Sequence, residues 1–560
     1  MDDALTLRLT VAALFILLSW VFLRAYTHRE APALRTVAIL VLGDIGRSPR
    51  MMYHAESFAT NNYETFLIGY GGSKPSPTLL SLPHIHFLYL SEPPRIVTKL
   101  PFIMCAPIKI IHQIATILAA LLVRVAHPPE YIMVQNPPSI PTLALVWLVG
   151  RLRGSKVIID WHNLGYSILA LKLGPEHILV RIAKKFEAYF GQTAYAHLFV
   201  TNAMRDYLVK EWELQGHKAV LHDRPPSHFH RCSPQEMHEL YLRLERSNTA
   251  PAQTDFFPPY NAPYSTPFTS THTTNSATAT SSSNIPSSSQ SISAPSTSFS
   301  AQALGSPSPP YERIQPPEYR PDRPALLVSS TSWTPDEDFG MLLEALTHYE
   351  ARAKEVNRGK EAGAVGGLPK VVMIVTGKGP LKAKYVKEMD ALQDGETPWE
   401  WVRCVTMWLE AEDYPTLLGC ADLGICLHSS SSALDLPMKI VDMFGCGLPV
   451  CALDFACLHE LVKTGVNGLT FTSAPELAAQ LETLLAGFPI APALTSLRKS
   501  LIDSSGSEAR GRAEGSRTGQ YSGVAEEGTE WVWNSWDDNW NAVVRPLISR
   551  DYDAIMEDRL

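Results

Sequence analysis

The sequence predicts two α/β domains, each a Rossmann-like, doubly wound parallel sheet, that face one another across a cleft behind a transmembrane helix. Three observations predict this fold. A chain of 560 residues is too long for one ordinary core. Short apolar runs alternate with helix-length segments from Thr36 onwards, as in βαβ units. A Ser/Thr/Pro-rich tract divides these runs into two series, so we expect domains at 35–246 and 323–500.

The amino-terminal segment predicts a single-pass signal anchor over residues 5–24. Leu9–Leu23 is uncharged and almost wholly apolar, and extension back to Leu5 adds only Arg8. A signal peptide is the alternative, but the chain begins Met-Asp-Asp without a basic region. Positive charge lies mostly downstream and therefore predicts that the remainder is cytosolic; these residues are Arg24, His28, Arg29 and Arg35.

Apolar runs of strand length define both sheets. In the first domain they are TVAILVL, ETFLIGYG, IHFLYL, EYIMVQ, KVIIDW, AHLFVTN and AVLHDRP. In the second they are ALLVSS, VVMIVTGKG, VRCVTMW, DLGICLH and LPVCALD. Leu100–Val125 is also apolar, but Lys109, His112 and Gln113 argue against a second span. A helix at the domain surface or membrane interface, or an ordinary buried helix, fits that segment.

Two low-complexity segments interrupt the domains. Residues 247–322 contain too few large apolar groups to offset ordering entropy, so we expect a disordered insertion. Residues 501–526 are a second such insertion. Residues 527–560 predict an amphipathic helical segment, whose tryptophans we expect to pack against a domain; these are Trp531, Trp533, Trp536 and Trp540.

Composition excludes some classes of function. The net charge of −8 gives no reason to expect nucleic-acid binding. The eight cysteines form no CxxC pair, which argues against a zinc site and fits buried, reduced thiols. A dinucleotide-binding G-x-G-x-x-G fingerprint is absent, which argues against a nicotinamide oxidoreductase.

The loop after the first strand, GDIGRSPR, predicts a site at the cleft. Gly43 and Gly46 make a tight turn into a helix that Ser48 and Pro49 begin. Asp44 suits a general base facing a sugar hydroxyl, with an ordinary turn residue as the alternative. Two arginines beside the helix start, Arg47 and Arg50, could meet an anionic group.

A second strand end, IIDWHNLGY, carries Asp160, His162 and Asn163. Polar residues at the carboxyl end of a parallel strand face the ligand crevice. A structural histidine bonded to a neighbouring loop is the alternative for His162.

The second domain offers two turns. Asp336 and Asp338 resemble a D-x-D metal motif, but Thr334, Pro335 and Glu337 predict a capping box and a helix start instead. Because no other metal motif stands out, we expect no metal ligands. The turn of Gly377, Lys378 and Gly379 lets the backbone approach a phosphate, which the lysine could neutralise.

The stretch SSSSALDLPMKIVDMFGCGLPV has helical spacing, with Asp435, Lys439 and Asp442 on one predicted face. Asp442 could accept hydrogen bonds from ribose hydroxyls, and the serine loop could hold a diphosphate. The alternative is an ion-pair ladder on the surface, worth about 0.3–0.5 kcal/mol per pair.

Six motifs in order resemble the chitobiosyldiphosphodolichol β-mannosyltransferase family: GDIGRSPRM, DWHNLGY, SSTSWTPDEDF, TGKGP, ADLGICLHSSSSALDLPMKIVDMFGCGLPVCA and ELVKTGVNGLTF. The resemblance covers both domains and the anchor but neither insertion. It implies a glycosyltransferase type B fold and an inverting transfer of mannose from GDP-mannose to dolichol-linked chitobiosyl diphosphate.

The resemblance and the motifs together assign roles to residues. The candidate catalytic base is Asp44, with His162 as the second choice. The predicted donor-binding residues are Gly377, Lys378, Gly379, Ser430, Ser431, Asp435, Lys439 and Asp442. The predicted acceptor-binding residues are Gly43, Gly46, Arg47, Arg50, Asp160 and Asn163.

The same resemblance implies a single-pass protein of the endoplasmic reticulum membrane with cytosolic domains. It could associate with other early mannosyltransferases. No tightly bound cofactor is expected, and a Mg²⁺ requirement is left open. The alternative function is a catalytically inactive, glycosyltransferase-like membrane scaffold.

Overall fold

The computed structural model describes most of both predicted domains. The described residues are 34–93, 102–226, 228–246, 256–271, 273–274, 313–334, 337–358, 367–410, 412–429, 432–504 and 533–549. The predicted anchor at 5–24 and the loop residues Ser430 and Ser431 lie outside them.

The first domain is built on seven parallel strands in the order β3-β2-β1-β4-β5-β6-β7. The strands are β1 Arg35–Asp44, β2 Tyr63–Tyr70, β3 Ile85–Tyr89, β4 Tyr131–Asn136, β5 Lys156–Trp161, β6 Thr193–Phe199 and β7 Gln215–Val220. Buried Val, Ile and Leu fill both faces of the central strands, as a sheet covered on both sides requires. The prediction for β7 was displaced towards the carboxyl end, because Gln215–Lys218 is too polar to indicate a strand.

Helices separate successive strands along the chain, as parallel pairing requires. They are α1 Pro49–Thr60, α2 Pro77–Ser81, α3 Phe102–Ala119, α4 Thr142–Arg153, α5 Gly165–Leu173, α6 Ile178–Gly191 and α7 Asn202–Trp212. A 3₁₀ turn, Ile45–Arg47, precedes α1, and a π turn, Ala120–Arg124, extends α3.

The second domain has six parallel strands in the order β14-β13-β12-β15-β16-β17. They are β12 Ala325–Ser330, β13 Val371–Thr376, β14 Val402–Met407, β15 Leu423–Cys426, β16 Val450–Leu453 and β17 Gly468–Phe471. Its helices are α8 Pro234–Arg246, α9 Phe339–Val356, α10 Lys382–Asp394, α11 Asp413–Cys420, α12 Met438–Gly445, α13 Ala474–Leu485 and α14 Pro492–Asp503, with a 3₁₀ turn at Leu458–Glu460. Two doubly wound parallel sheets therefore confirm the predicted fold class.

Two segments cross between the domains and shift the predicted boundaries. Helix α8 falls within the predicted first domain, yet Met237, Leu240 and Leu244 pack in the core of the second. The last helices, α15 Trp536–Val543 and α16 Arg545–Ile548, return to the first domain. There the indole N–H of Trp540 donates to His54 Nδ1 at 3.1 Å. The expected packing of the terminal tryptophans is therefore confirmed for Trp533, Trp536 and Trp540, while Trp531 lies outside the described residues.

The disorder predicted for all of 247–322 is wrong for residues 256–271. Phe256, Phe257 and Phe268 are buried against the second domain, so these three large apolar groups offset the ordering of their neighbours. Four two-residue strands pair antiparallel beside them: β8 Thr269–Ser270 with β11 Glu318–Tyr319, and β9 Thr273–Thr274 with β10 Arg313–Ile314.

Helix α3 is buried towards its carboxyl end and exposed towards its amino end. Ile117 and the adjoining Leu121 are fully buried in the first domain, whereas Ile108 and Ile111 near the amino end are 40% and 65% exposed. Within the described residues, Pro107–Arg124 is the one helical segment long and apolar enough to cross a membrane, and 17% of it is buried. Its carboxyl end therefore packs on the first domain, while its amino end leaves apolar side chains exposed.

Candidate active site

Asp44 ends β1, and its carboxylate organises the loops around it. Oδ1 accepts hydrogen bonds from the backbone N–H groups of Gly46, Gly72 and Ser73 at 3.0–3.2 Å. Oδ2 accepts from the Ser73 hydroxyl at 2.7 Å. These bonds, led by those from Ser73, hold the pKa of Asp44 below its usual value. A carboxylate so fully bonded is a weak base, and the geometry gives Asp44 a role in fixing the loop.

The surroundings require glycine at only one of the two loop positions. A Cβ on Gly46 would lie 2.7 Å from the carbonyl oxygen of Ser73, so only glycine allows this close approach. A Cβ on Gly43 would find its nearest neighbour at 3.9 Å, so nothing steric requires glycine there. Arg47 remains accessible, with 81% of its side chain exposed and its Nε donating to Ser73 Oγ at 3.2 Å.

Arg50 and Asp160 lie in the core instead of on the cleft surface. The Arg50 guanidinium donates to both Asp160 oxygens, at 2.7 and 2.8 Å, and to Asp223 Oδ1 at 2.7 Å. Arg50 is 2% exposed and Asp160 is fully buried. Burial alone would raise the pKa of Asp160, but Arg50 lowers it below the usual range. Arg50 and Asp160 therefore pair with each other inside the domain, and their predicted direct contact with the acceptor stays a prediction.

His162 lies at the same strand end but remains partly accessible, with 30% of its side chain exposed. Its Nε2 lies 3.8 Å from Asp223 Oδ2, within ion-pair range but beyond a hydrogen bond. Asp223 was not predicted as a site residue. Its position just beyond β7, at the carboxyl edge of the sheet, was the available signal. Together they form a His–Asp pair at the cleft edge.

The turn Gly377–Gly379 leaves β13 against the loop that leaves β12. Gly377 has φ of +127°, and a Cβ on it would overlap the carbonyl oxygen of Thr331. A Cβ on Gly379 would overlap the carbonyl oxygen of Ser332. Between them the Lys378 ammonium sits 3.6 Å from the centre of the Trp408 ring, a cation–π contact at an exposed position. Glycine is therefore required on both sides of a lysine that faces solvent.

Glu337, which was predicted to complete a capping box, is a buried acid. Helix α9 instead begins at Phe339, with the Asp338 side chain as its cap. Glu337 is 4% exposed and accepts hydrogen bonds from the Ser332 N–H, at 2.7 Å, and from the Thr331 hydroxyl. Its other oxygen pairs with the Lys439 ammonium. Glu337 thus couples the loop beside Gly379 to helix α12.

The prediction that Asp435, Lys439 and Asp442 share one face of a helix is only partly correct. Pro437 caps α12, which begins at Met438, so Asp435 lies in the preceding loop. There Asp435 accepts a hydrogen bond from Asn163 Nδ2 of the first domain at 3.2 Å. Asp442 does lie on α12, and burial together with the charge of Asp223 raises its pKa to about 7. The charge of Asp223 in the first domain therefore acts on Asp442 across the domain boundary.

Further hydrogen bonds join the two domains beside this site. The Thr201 hydroxyl donates to the carbonyl oxygen of Leu434 at 2.6 Å. The Glu460 carboxylate accepts from the N–H groups of Asn202 and Ala203, at 2.7 and 2.8 Å, at the start of α7. An acid from one domain thus caps a helix of the other, a contact that spans 258 residues of sequence and that no local pattern indicates.

Among the described residues, one group of His, Cys and Glu has its ligand atoms within 4.8 Å of one another: His230, Cys232 and Glu236. Glu236 accepts from the N–H and hydroxyl of Ser233, at 2.7 and 2.9 Å. It therefore forms the capping box of α8, and this local role accounts for its position.

The chain is similar to several known proteins. A family model described as glycosyl transferases group 1 matches residues 350–487. The chain is 40% identical over 498 residues to a chitobiosyldiphosphodolichol β-mannosyltransferase of Homo sapiens, covering 89% of this chain and 95% of the relative. It is 39% identical to the UDP-glycosyltransferase TURAN of Arabidopsis thaliana, covering 80% and 89%. A solved structure of HepE from Anabaena, with UDP and glucose, aligns with a TM-score of 0.47 at 15% identity, covering 84% of this chain and 94% of that one.

Proposed function

The chain belongs to the chitobiosyldiphosphodolichol β-mannosyltransferase family, and from that membership we propose that it transfers mannose from GDP-mannose to the terminal GlcNAc of GlcNAc₂-diphosphodolichol. It is a glycosyltransferase that uses a sugar-nucleotide donor and a dolichol-linked substrate, and it acts at a membrane. We propose further that this membrane is the endoplasmic reticulum and that a single amino-terminal span leaves both domains in the cytosol.

One observation carries the proposal: His162 and Asp223 of the first domain lie beside the domain boundary that Asn163 and Asp435 bridge at 3.2 Å, and the charge of Asp223 reaches Asp442 of the second domain. An inverting transfer needs a base on the acceptor side and stabilisation of the leaving group on the donor side. The two domains offer these groups separately. Lys378, Lys439 and the Gly377–Gly379 turn are all on the donor side, where a departing diphosphate would meet positive charge.

The proposed reaction is a single displacement. His162 takes the proton from the acceptor 4-hydroxyl while that oxygen attacks C1 of mannose, and the bond from C1 to the GDP oxygen breaks. Asp223 stabilises the imidazolium that forms, since a carboxylate favours the charged state of a neighbouring histidine. Lys378 stabilises the negative charge that develops on GDP, and Lys439 binds the donor diphosphate equally before and after the bond breaks. Asp44, first choice from the sequence, holds the loop that carries Arg47, and Arg47 meets the acceptor diphosphate.

Two variants test the assignment of the base. His162→Ala should lower kcat by a factor of about 10²–10⁴, the usual range for loss of a general base. Asp44→Asn should retain most of kcat with a raised KM for the acceptor, because it loosens a loop without removing the base. Transfer of mannose from GDP-mannose to the lipid-linked acceptor is the measurement, and His348→Ala on the exposed face of α9 is the control.

Opposite results would overturn the assignment. A kcat for His162→Ala close to that of the unaltered protein removes His162 as base, and a collapse of kcat in Asp44→Asn would restore Asp44. No transfer by the unaltered protein, together with no GDP-mannose binding, would favour the inactive scaffold. Because a relative carries the name UDP-glycosyltransferase, UDP-mannose and UDP-glucose belong in the assay, and Mg²⁺ should be compared with EDTA.

A further inference from the structure

Three neighbouring helices of the first domain leave large apolar side chains exposed. On α6 Ile178 and Tyr189 are each 67% exposed, and on α5 Leu171 is 64% exposed. The complete set is Leu148 and Leu152 on α4, Leu171 and Leu173 on α5, and Ile178, Leu179, Ile182 and Tyr189 on α6. We call these eight residues the apolar surface. Such a concentration on one domain marks an interaction site rather than scattered exposure.

The spacing of these residues places them on common helix faces. Ile178, Ile182 and Tyr189 are separated by four and seven residues, so they line one side of α6. Leu148 and Leu152 are separated by four on α4. The adjoining rings of Trp147 and Phe190 join α4 to α6, with their centres 5.8 Å apart. The exposed groups of α4 and α6 therefore lie on adjoining helices, and α5 packs against α6 beside them.

The charges around this surface are nearly all positive. Arg151, Lys172, Arg181 and Lys185 are exposed on the same three helices. Residues 142–191 contain three acids: Asp160, Glu176 and Glu187. Asp160 is buried with Arg50, and Glu187 is buried where it accepts from Asn136 Nδ2 and Ser139 Oγ. An apolar surface rimmed by lysine and arginine matches the interface of an anionic bilayer.

We propose that the apolar surface seats in the headgroup region of an anionic phospholipid bilayer and so orients the active site towards its lipid-linked acceptor. This inference rests on the proposed function. Helix α5 begins three residues after His162, and its exposed Leu171 and Leu173 lie at its far end. A domain seated through that far end keeps the base close to the membrane, where the sugar of a lipid-linked acceptor would project.

A protein partner would not require the excess of cations, and a second copy of the chain would bring two positive rims together. Charge therefore favours lipid over both. The second domain provides a matched control, because Ile490 is 76% exposed there and lies beside no comparable group of exposed apolar residues among those described.

The first test measures whether the apolar surface enters the bilayer. Full-length protein carrying Ile182→Cys or Ile490→Cys is labelled with an environment-sensitive fluorophore and reconstituted into vesicles of 70% phosphatidylcholine and 30% phosphatidylserine. Labelled unaltered protein supplies the background. Quenchers attached to the lipid chains should reduce the emission at position 182 at least twofold more than at position 490. Equal quenching at the two positions would overturn the proposal.

The second test measures what the surface does. The double variant Ile178→Glu/Ile182→Glu should raise KM about tenfold for the dolichol-linked acceptor in these vesicles. It should leave kcat unchanged with a short-chain acceptor soluble in water, which also shows that the variant folds. Ile490→Glu should change neither value.

An unchanged KM on vesicles would overturn the inference, as would a dimer in detergent that the double variant dissociates, since that identifies a second copy as the occupant. Failure of the proposed function looks different, because the unaltered protein would then transfer mannose to neither acceptor.

Discussion

The two domains share one architecture but use their polar residues at the cleft in opposite ways. In the first domain the charges at the strand ends are paired inside the domain: Arg50 with Asp160 and Asp223, and Asp44 with the Ser73 loop. In the second domain the comparable charges stay partly accessible: Lys378 is exposed beside Trp408, and Lys439 keeps 24% of its side chain exposed although it pairs with Glu337. Rigid positioning dominates one side, and charge available to a ligand dominates the other.

This difference fits a division of labour. A base must be held accurately against one hydroxyl, and a network of buried ion pairs beneath His162 can provide that rigidity. A leaving diphosphate needs positive charge and close backbone approach, which the Gly377–Gly379 turn allows. If the first domain positions the base and the second binds the donor, substitutions in the first should mainly change stability or kcat. Substitutions in the second should mainly change donor binding.

The largest effect is expected at Arg50. Arg50→Met leaves Asp160 and Asp223 buried without their cation, and loss of one partner from a buried pair costs about 3–5 kcal/mol. The melting temperature of the purified protein should therefore fall markedly at pH 7. Lowering the pH should recover part of the loss, because protonation removes the unpaired charges.

The control is Arg352→Met, which removes an exposed arginine that pairs with Glu355 and Glu482. It should leave the melting temperature unchanged. Equal effects of the two substitutions would mean that the buried network does not stabilise the first domain, and the proposed contrast between the domains would fail.

A smaller effect, on binding, is expected in the second domain. Lys439→Met and Glu337→Gln should each raise KM for GDP-mannose about tenfold with little change in kcat, since one charge-assisted hydrogen bond is worth about 1.5–3 kcal/mol. Glu337→Gln can still accept from the Ser332 N–H but no longer holds the Lys439 ammonium. If the two act as a unit, the double variant should be no worse than either single variant.

Lys384→Met, on the exposed face of α10, is the control for a general loss of positive charge and should leave KM unchanged. Additive effects of the two single substitutions would show that Glu337 and Lys439 act separately. The donor half of the comparison would then need another positioning residue.

The fold could be predicted from sequence because buried strands have a strong local pattern. Val371–Thr376, for example, is wholly apolar except for its last residue and is buried along its full length. The short strand Gly468–Phe471 was missed, since its four residues begin with glycine and contain a threonine. Residues 256–271 were missed because three phenylalanines lie among many small polar residues, and only a distant surface decides whether they are buried.

The site was harder to predict for a related reason. The residue types at the strand ends were correctly singled out, but sequence does not tell which side chains turn inward. Arg50 and Arg47 are three residues apart, yet one is buried and one is 81% exposed. Asp223 and Glu337 acquire their roles through contacts with His162, Arg50 and Lys439, all at least 60 residues away in the chain. Such pairings depend on the assembled sheets.

The smallest expected effect concerns Asp442 and links the two halves of the comparison. Its pKa of about 7, raised by burial and by Asp223, means that the folded protein binds more protons than the unfolded chain between about pH 4 and pH 7. The free energy of unfolding therefore falls as pH rises through that window. Asp442→Asn has no carboxyl group to ionise, so its free energy of unfolding does not fall in this window. It should therefore be more stable than the unaltered protein between pH 5 and pH 8. The expected gain is about 1 kcal/mol, since one pKa unit corresponds to about 1.4 kcal/mol and Asp442 is only partly buried, so that solvent screens most of the effect.

Melting temperatures measured across this pH range, with Asp503→Asn at the exposed end of α14 as control, would reveal the difference. Ribose hydroxyls that donate to Asp442 favour its ionised form, so the affinity for GDP should rise with pH between 6 and 8 in the unaltered protein and stay flat in Asp442→Asn. Parallel pH profiles for the two proteins would place Asp442 outside the nucleotide site. A difference in stability without one in affinity would show that Asp442 senses Asp223 across the cleft but does not bind the donor.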